Sequence, residues 1–234
     1  EDEPERVAEA TKRMNLNHIV ITAVARDDLK DGGAEHFQRT IEAVRISNPK
    51  IIIEVLVPDF NDKDWALEMV MEARPHIFNH NIETVERLTP LVRSRAKYGR
   101  SLTVLKKAKD MVDGKVATKS GLMLGLGERE EEIFQAMDDL REHGVTVLTM
   151  GQYLRPTAMH LPVVEYITPE RFEELRQIAL TKGFRHVASG PLVRSSYHAA
   201  DFHPEEDVLD AIESDLAKRA ESKIEQGGKV TSSA

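Results

Sequence analysis

Short runs rich in β-branched residues alternate along the chain with longer amphipathic, charged stretches, and the alternation repeats five or six times. The runs are Ile19–Ala25, Ile51–Val57, His76–Glu83, Ala117–Gly125, Val145–Gln152 and Phe184–Gly190. Between them, apolar residues recur at helical spacing in Val7–Met14, Phe37–Ile46, Trp65–Ala73, Leu102–Val112, Ile133–His143 and Phe172–Lys182. This order predicts an α/β fold of parallel strands joined by crossover helices, because parallel neighbours cannot share a tight hairpin. A doubly wound sheet and a barrel both satisfy it. Boundary residues agree: Thr168-Pro169-Glu170 offers a capping Thr followed by Pro at the first helical position, and Gly144 and Gly183 stop the helices they follow. After Pro204 the segment EEDVLDAIESDLAKRAESKIEQ predicts a surface helix with Val208, Leu209, Ile212 and Leu216 on one side, and GGKVTSSA reads as a frayed tail. The expected division is therefore residues 1–203 as the α/β unit and 204–234 as helix and tail.

Composition narrows the chemistry. Of 234 residues, 32 are Lys or Arg and 40 are Asp or Glu, giving a formal charge of −8, which argues against a nucleic-acid partner. No stretch approaches the ~20 apolar residues of a membrane span, and no signal pattern opens the chain, so a soluble intracellular protein with no membrane partner is expected. There is no cysteine, which excludes a disulfide scaffold, a thiol nucleophile, and any zinc or iron–sulfur site built wholly from this chain's thiolates. The chain begins Glu1-Asp2-Glu3-Pro4 and opens directly on a helix. The expectation is a barrel whose first βα step lies upstream of Glu1.

In parallel α/β folds the reactive groups gather on loops leaving the C-terminal ends of the strands. Nearly every run here ends in polar residues: Arg26-Asp27-Asp28 with Asp31-Gly32-Gly33, Pro58-Asp59, Asn79, His80, Asn81 and Glu83, Lys119-Ser120 with Gly125 to Glu128, Gly151 to Thr157, and Ser189-Gly190-Pro191 with Arg194 to His198. Solvated loops would account for each cluster singly, whereas six converging clusters point to an active face. Asp27 and Asp28 are adjacent and so are poorly placed to act as a carboxylate pair on a strand. His76 and His80 share a face but lack a local third ligand for zinc. The GLGE segment lacks the rest of a dinucleotide fingerprint, and no GxSxG, GxxxxGK[ST] or HExxH pattern occurs. Gly32 and Gly33 would let main-chain dipoles approach a small charged ligand, or would simply turn the chain. From Arg93 to Lys109 there are seven cations and no carboxylate, either a solvated face or a dock for an acidic partner.

The segments ARDDLKDGGAEHF, IEVLVPDF, FNHNIETVERL, VRSRAKYGRSL, TKSGLMLGLGE, LTMGQYLRPT, HLPVVEY and SGPLVRSSYHA, in this order and near this spacing, resemble the lipoyl synthase family over about residues 4 to 203. The resemblance implies a partial parallel (β/α)6 barrel of the radical S-adenosylmethionine (SAM) type. It implies two 4Fe-4S clusters in the full-length protein, SAM as cosubstrate, and sulfur insertion at C6 and C8 of an octanoyl group held on a lysine of an acidic lipoyl carrier domain. A reductant protein would be a second partner. Carbon–hydrogen bonds of that kind resist acid/base chemistry, so a radical-generating cofactor carries the hard step. On the same basis Gly32 and Gly33 would hold the SAM amino group, Asn81 and Glu83 would face SAM, and Gly125 and Arg155 would line the adenosyl side. One serine of RSSYHA would ligate the auxiliary cluster, Ser196 in preference to Ser195. Arg93, Arg95, Lys97 and Arg100 would dock the carrier domain.

The chain departs from that pattern in one respect: the family's CxxxCxxC motif and its second cysteine triplet are both absent. Hence no catalytic residue is assigned, and this polypeptide is expected to be inactive alone. The rival reading is a cluster-free module that docks lipoyl carrier domains without catalysis. A third, a barrel lyase using Asp27, Asp28 and Lys119, suits the architecture but not the motif order. The expected compartment is the cytoplasm of a bacterium or archaeon, or a mitochondrion or plastid in a eukaryote.

Overall fold

All six predicted strands form: β1 (His18–Thr22), β2 (Ile52–Leu56), β3 (Ile77–Asn79), β4 (Ala117–Leu124), β5 (Val147–Gln152) and β6 (His186–Gly190). The computed structural model describes residues 2–230. The strands make one sheet in the order β1-β2-β3-β4-β5-β6, and every neighbouring pair is parallel. An order without reversal settles what the alternation left open. A doubly wound sheet reverses direction and takes helices on both faces, whereas right-handed crossovers that always step the same way leave the helices on one face. The other face curls inward as the lining of a partial barrel.

The crossover helices are α1 (Glu3–Arg13), α2 (Ala34–Ser47), α3 (Asp64–Glu72), α4 (Thr89–Val92), α5 (Tyr98–Asp110), α6 (Glu130–Glu142) and α7 (Pro169–Thr181). The short α4 was not legible as a helix. Capping follows chemistry already visible in the residues. Thr168 Oγ accepts from Arg171 N at 3.2 Å ahead of Pro169, and Gly144 and Gly183 take φ of 80° and 93° at helix ends.

Strand alternation sorts the core into two layers. Ile53, Val55, Phe78, Leu122, Leu124, Leu148, Met150 and Val187 face the helices and belong to one apolar cluster with Ile41, Val70, Leu105, Met137 and Phe172. The residues between them face the barrel interior. There the register sets Asn79 beside Lys119, Gly121 beside Thr149, and Met123 beside Gly151. The helix-facing layer is oily and the interior is polar, with Glu54, Asn79, Lys119 and Thr149 all buried.

A last helix, α8 (Glu206–Val230), packs by buried Val208 and Ile212. It is tied to the barrel by Asp215 to Arg74 at 2.8 Å and by Lys115 to Asp207 at 2.9 Å. It runs through Val230, so the first four residues of GGKVTSSA are helical, and the last four lie outside the described residues. No helix of the described residues is long and apolar enough to cross a membrane.

Candidate functional site

After β3 the chain continues in ladder contact with β4: His80 N donates to Lys119 O at 3.1 Å, Glu83 N to Gly121 O at 3.0 Å, and Met123 N to Glu83 O at 2.8 Å. Alternation turns His80 outward and Asn81 inward. His80 is held between Val57 O at 2.8 Å and Ser101 Oγ at 3.0 Å. Burial pushes its imidazole down to about 4. His76 accepts from Ile53 N at 3.0 Å, and burial likewise pushes it to about 4. The two histidines stabilise neighbouring backbone rather than share a metal, and no group of three His, Cys, Asp or Glu suited to a metal occurs among the described residues.

Asn81 opens onto a cavity of about 370 Å³ at the C-terminal ends of β3, β4 and β5. Its walls include Asn81, Glu83, Gly121, Thr149, Gly151 and Ser195. Asn81 Nδ2 donates to Ser195 Oγ at 2.8 Å and to Glu83 Oε1 at 3.2 Å. Its Oδ1 is buried without a hydrogen-bond partner, against the bare backbone of Gly121. Glu83 has φ of 67°, a left-handed conformation that costs a side-chain-bearing residue energy and is kept where surroundings fix it. Burial pushes the Glu83 carboxyl above its ordinary value, against the opposing pull of Asn81 and Arg93. The cavity thus offers the Glu83 carboxyl, held beside the Asn81 amide, to a ligand that donates hydrogen bonds.

One layer deeper, Glu54 and Lys119 close the floor, each two residues before a cavity residue on the same face, Leu56 and Gly121. Lys119 Nζ lies 2.8 Å from Glu54 Oε1, Asn79 Nδ2 donates to the same oxygen at 2.9 Å, and His18 Nε2 approaches Oε2 at 3.4 Å. Burial pushes the Glu54 carboxyl up, but His18, Lys119 and Asn79 outweigh it and hold the group below its ordinary value.

The structure therefore brings Asn81, Glu83 and Ser195 together at the cavity, with Arg93 braced behind Asn81, and places the other candidates elsewhere. Gly32 and Gly33, with φ of 64° and 89°, form the turn into α2, where the Asp31 carboxylate accepts from Gly33 N at 3.1 Å and Glu35 N at 2.9 Å. Gly33 lines a different hollow, of about 470 Å³, between α1, β1 and α2. Gly125 is buried against Gln152, itself a cavity wall residue: Val164 N donates to the Gly125 carbonyl at 2.8 Å, and an added Cβ would stand 2.4 Å from Gln152 Nε2 and Glu165 O. Arg155 turns onto its own loop, donating to His160 O at 2.8 Å and to Ala158 O. Of the two serines, Ser195 faces the cavity and Ser196 is exposed. Asp28 pairs with Arg26 at 2.7 Å on the surface, far in character from the buried Lys119.

The cationic run also divides. Arg93 is an internal strut, donating to Asn81 O at 3.1 Å and Ser101 Oγ at 3.2 Å. Arg100 is 13% exposed and pairs with Asp59 at 2.7 Å. Carboxylates from other segments answer several of these cations, which a one-dimensional count cannot see. Arg95, 87% exposed beside Asp27 at 3.4 Å, and Lys97 remain on the surface. Gly121 and Thr149 are cavity residues that sequence reasoning missed, and Gly151 and Arg194 were named only as members of strand-end clusters. The available signal was a glycine inside each of two strand runs, a mark of close backbone approach.

Comparison with known proteins bears on the same residues. Residues 1–140 match the family model described as the radical SAM superfamily. The chain is 59% identical over 197 residues to the lipoyl synthase of Shouchella clausii, covering 84% of this chain and 63% of that protein. It is 53% identical over 207 residues to the lipoyl synthase of Chlorobaculum tepidum, covering 88% of this chain and 71% of that protein. Among solved structures it is similar to Streptococcus suis SuiB bound to S-adenosylmethionine, with TM-score 0.60, 10% identity, and coverage of 86% of this chain and 46% of that one. That last likeness is of fold. The chain thus spans somewhat under two thirds of the length of the first of these relatives.

Proposed function

The chain belongs to the radical SAM superfamily and, within it, to the lipoyl synthase family, and from that premise we propose that it is the SAM-binding barrel of an enzyme that inserts sulfur at C6 and C8 of a protein-bound octanoyl group. The observation that carries the reading is the conjunction of that identity with an interior cavity where the Glu83 carboxyl stands beside the buried Asn81 amide. A ligand rich in hydroxyl and ammonium donors, as SAM is, suits the Glu83 carboxyl, and the buried Asn81 amide holds that carboxyl in place. When bound, SAM supplies the adenosyl group from which a radical can be made. Asn81 and Glu83 orient it, and Arg93 fixes the Asn81 backbone.

The iron–sulfur clusters fit differently. Each needs thiolates, and this chain has no cysteine and, among its described residues, no alternative group of metal donors. We therefore derive no step through a cluster. Ser195 stands at the cavity and Ser196 at the surface, so of the two Ser195 is the better placed to meet a bound group. The substrate is an octanoylated carrier domain, with a reductant protein as second partner, and exposed Arg95 and Lys97 suit an acidic carrier. Bacterial relatives support a cytoplasmic setting. The want of cysteine favours a second reading for this polypeptide alone, that it binds SAM and carrier without catalysis.

Equilibrium titration with SAM tests the site. Saturable binding that weakens about tenfold or more in Asn81→Ala supports it, and absence of binding by the intact chain refutes it. After anaerobic treatment with iron and sulfide, this polypeptide should show no stoichiometric 4Fe-4S absorbance. One stable cluster per chain would overturn the ligand argument. For the full-length enzyme, mass spectrometry of an octanoylated carrier domain should show a gain of two sulfur atoms, and an unaltered carrier would remove the reaction assignment.

A further inference from the structure

Gly121 and Gly151 lie on adjacent strands, β4 and β5, in register two residues apart, and both face the barrel interior. Neither has a positive φ, so backbone conformation does not demand glycine at either place. Space does. A Cβ on Gly151 would stand 2.2 Å from Val193 O and 3.2 Å from Val193 C, contacts with backbone that cannot swing aside. A Cβ on Gly121 would stand 2.7 Å from Asn81 Oδ1 and 3.0 Å from Thr149 Oγ1. The first glycine admits the segment that follows β6. The second admits the side chain that grips it.

We infer that Gly121 and Gly151 are positioning residues for the cavity: by presenting bare strand backbone, they let Asn81 and the 193–195 segment meet over the barrel mouth and close its wall. The grip is the hydrogen bond from Asn81 Nδ2 to Ser195 Oγ, 2.8 Å long, which joins the end of β3 to the chain beyond β6, three strands away in the sheet. Val193 is buried beneath it, and its N donates to Gly190 O at 3.1 Å, fixing the turn that brings the chain back over β5. Arg194 is carried into the cavity wall by the same seating.

The strand partner of Gly151 supplies an internal control. Gly190 pairs with Gly151 across β5 and β6, yet a Cβ there would meet only Val193 Cγ2 at 3.6 Å, an ordinary contact. Two neighbouring glycines should therefore differ sharply in their tolerance of alanine. Gly99 on α5 has nothing within 4 Å of such a Cβ and serves as a second control.

Amide hydrogen exchange of the chain, read on Val193 and Tyr197, tests the inference without any ligand. Gly151→Ala should accelerate exchange at both amides about five- to tenfold or more, the factor that follows from losing one hydrogen bond, while Gly190→Ala and Gly99→Ala stay within about twofold of the parent. Asn81→Ala, which adds no atoms and so does not overpack, should give the same local acceleration if Gly151→Ala does not fold. Unchanged exchange in Asn81→Ala, or equal disruption by Gly190→Ala, overturns the inference. A second readout rests on the SAM reading above: S-adenosylhomocysteine should bind Gly151→Ala about tenfold more weakly. Parent-like affinity together with fast exchange would refute the link between the seated segment and the cavity. Failure of the parent chain to bind would count against the SAM reading alone.

Discussion

Replacing Lys119 with Met is the sharpest test of the polar barrel floor. The Glu54 side chain is 0% exposed and Lys119 is 3% exposed, so water screens neither charge. Methionine fills much of the lysine stem's volume and removes the ammonium 2.8 Å from Glu54 Oε1. Glu54 would then keep the Asn79 amide at 2.9 Å and the His18 imidazole at 3.4 Å, too little to stabilise a buried carboxylate. A buried charge stripped of its partner costs about 3–5 kcal/mol, whereas removing both charges together is often close to neutral. The expectation for Lys119→Met is a loss of that size in urea unfolding near pH 7, with most of it recovered in the double variant Glu54→Gln/Lys119→Met. Acidity adds a signed check. In the parent, the partners hold Glu54 below its ordinary value, so its contribution is present above the unfolded-state pKa of about 4.3 and is lost as pH falls through the folded value. In Lys119→Met burial dominates and the folded value rises above the unfolded one, so the penalty grows with rising pH and fades on acidification. The deficit of the variant relative to the parent should therefore shrink between about pH 7 and pH 4. A loss under about 1 kcal/mol, or a deficit that is flat with pH, would refute the reasoning.

Other consequences can be checked by similar means. His80 stays neutral in the fold at about 4 while the unfolded chain titrates near about 6.5, so between these values the unfolded state binds the extra proton and stability falls on acidification, by about 3 kcal/mol in full. His80→Gln should remove that part of the slope, and urea midpoints that run parallel to the parent's across this window would contradict it. Tyr98→Phe deletes the hydroxyl that donates to Asp139 Oδ2 at 2.8 Å and should cost about 1–2 kcal/mol. An unchanged thermal midpoint would show the bond to be idle. Changing Arg95 and Lys97 to Glu should weaken association with an acidic carrier domain and flatten its salt dependence without lowering thermal stability, because both side chains are exposed. Including Arg93 in that set would confuse the result, since it braces Asn81.

The fold was legible because its determinants are local. Every strand run and long helical stretch reappears within a few residues of its predicted bounds, and the capping Thr168 and the stops at Gly144 and Gly183 act where their chemistry places them. The first strand ends at Thr22, short of the predicted Ala25, because Ala23 and Val24 leave the sheet to line the hollow beside α2. The choice of barrel over doubly wound sheet was not local. It rests on which strand each crossover reaches: the alternation left it open, the family resemblance implied a barrel, and the unbroken order of six agrees.

The site shows the opposite balance. Asn81 and Glu83 could be named because one short segment carries both, but what fixes Asn81 in the site is its contact with β4 and the chain after β6. Gly125 and Arg155 occupy equally suggestive motifs, yet the loop around Gly125 spends its glycine on packing against Gln152 and Glu165, and Arg155 spends its donors on its own turn. The same reasoning explains the cations. A run without carboxylates looks like free positive field, but Asp27, Asp59 and Asp64 arrive from other segments to meet Arg95, Arg100 and Lys107. Glycine follows the same logic in reverse: at Gly151 the missing atoms are the signal, and their meaning appears only once Val193 is seen in the space they leave. Chemistry in this barrel is thus written at pairs of positions far apart in the chain, and the residues to mutate are those whose partners lie on other strands.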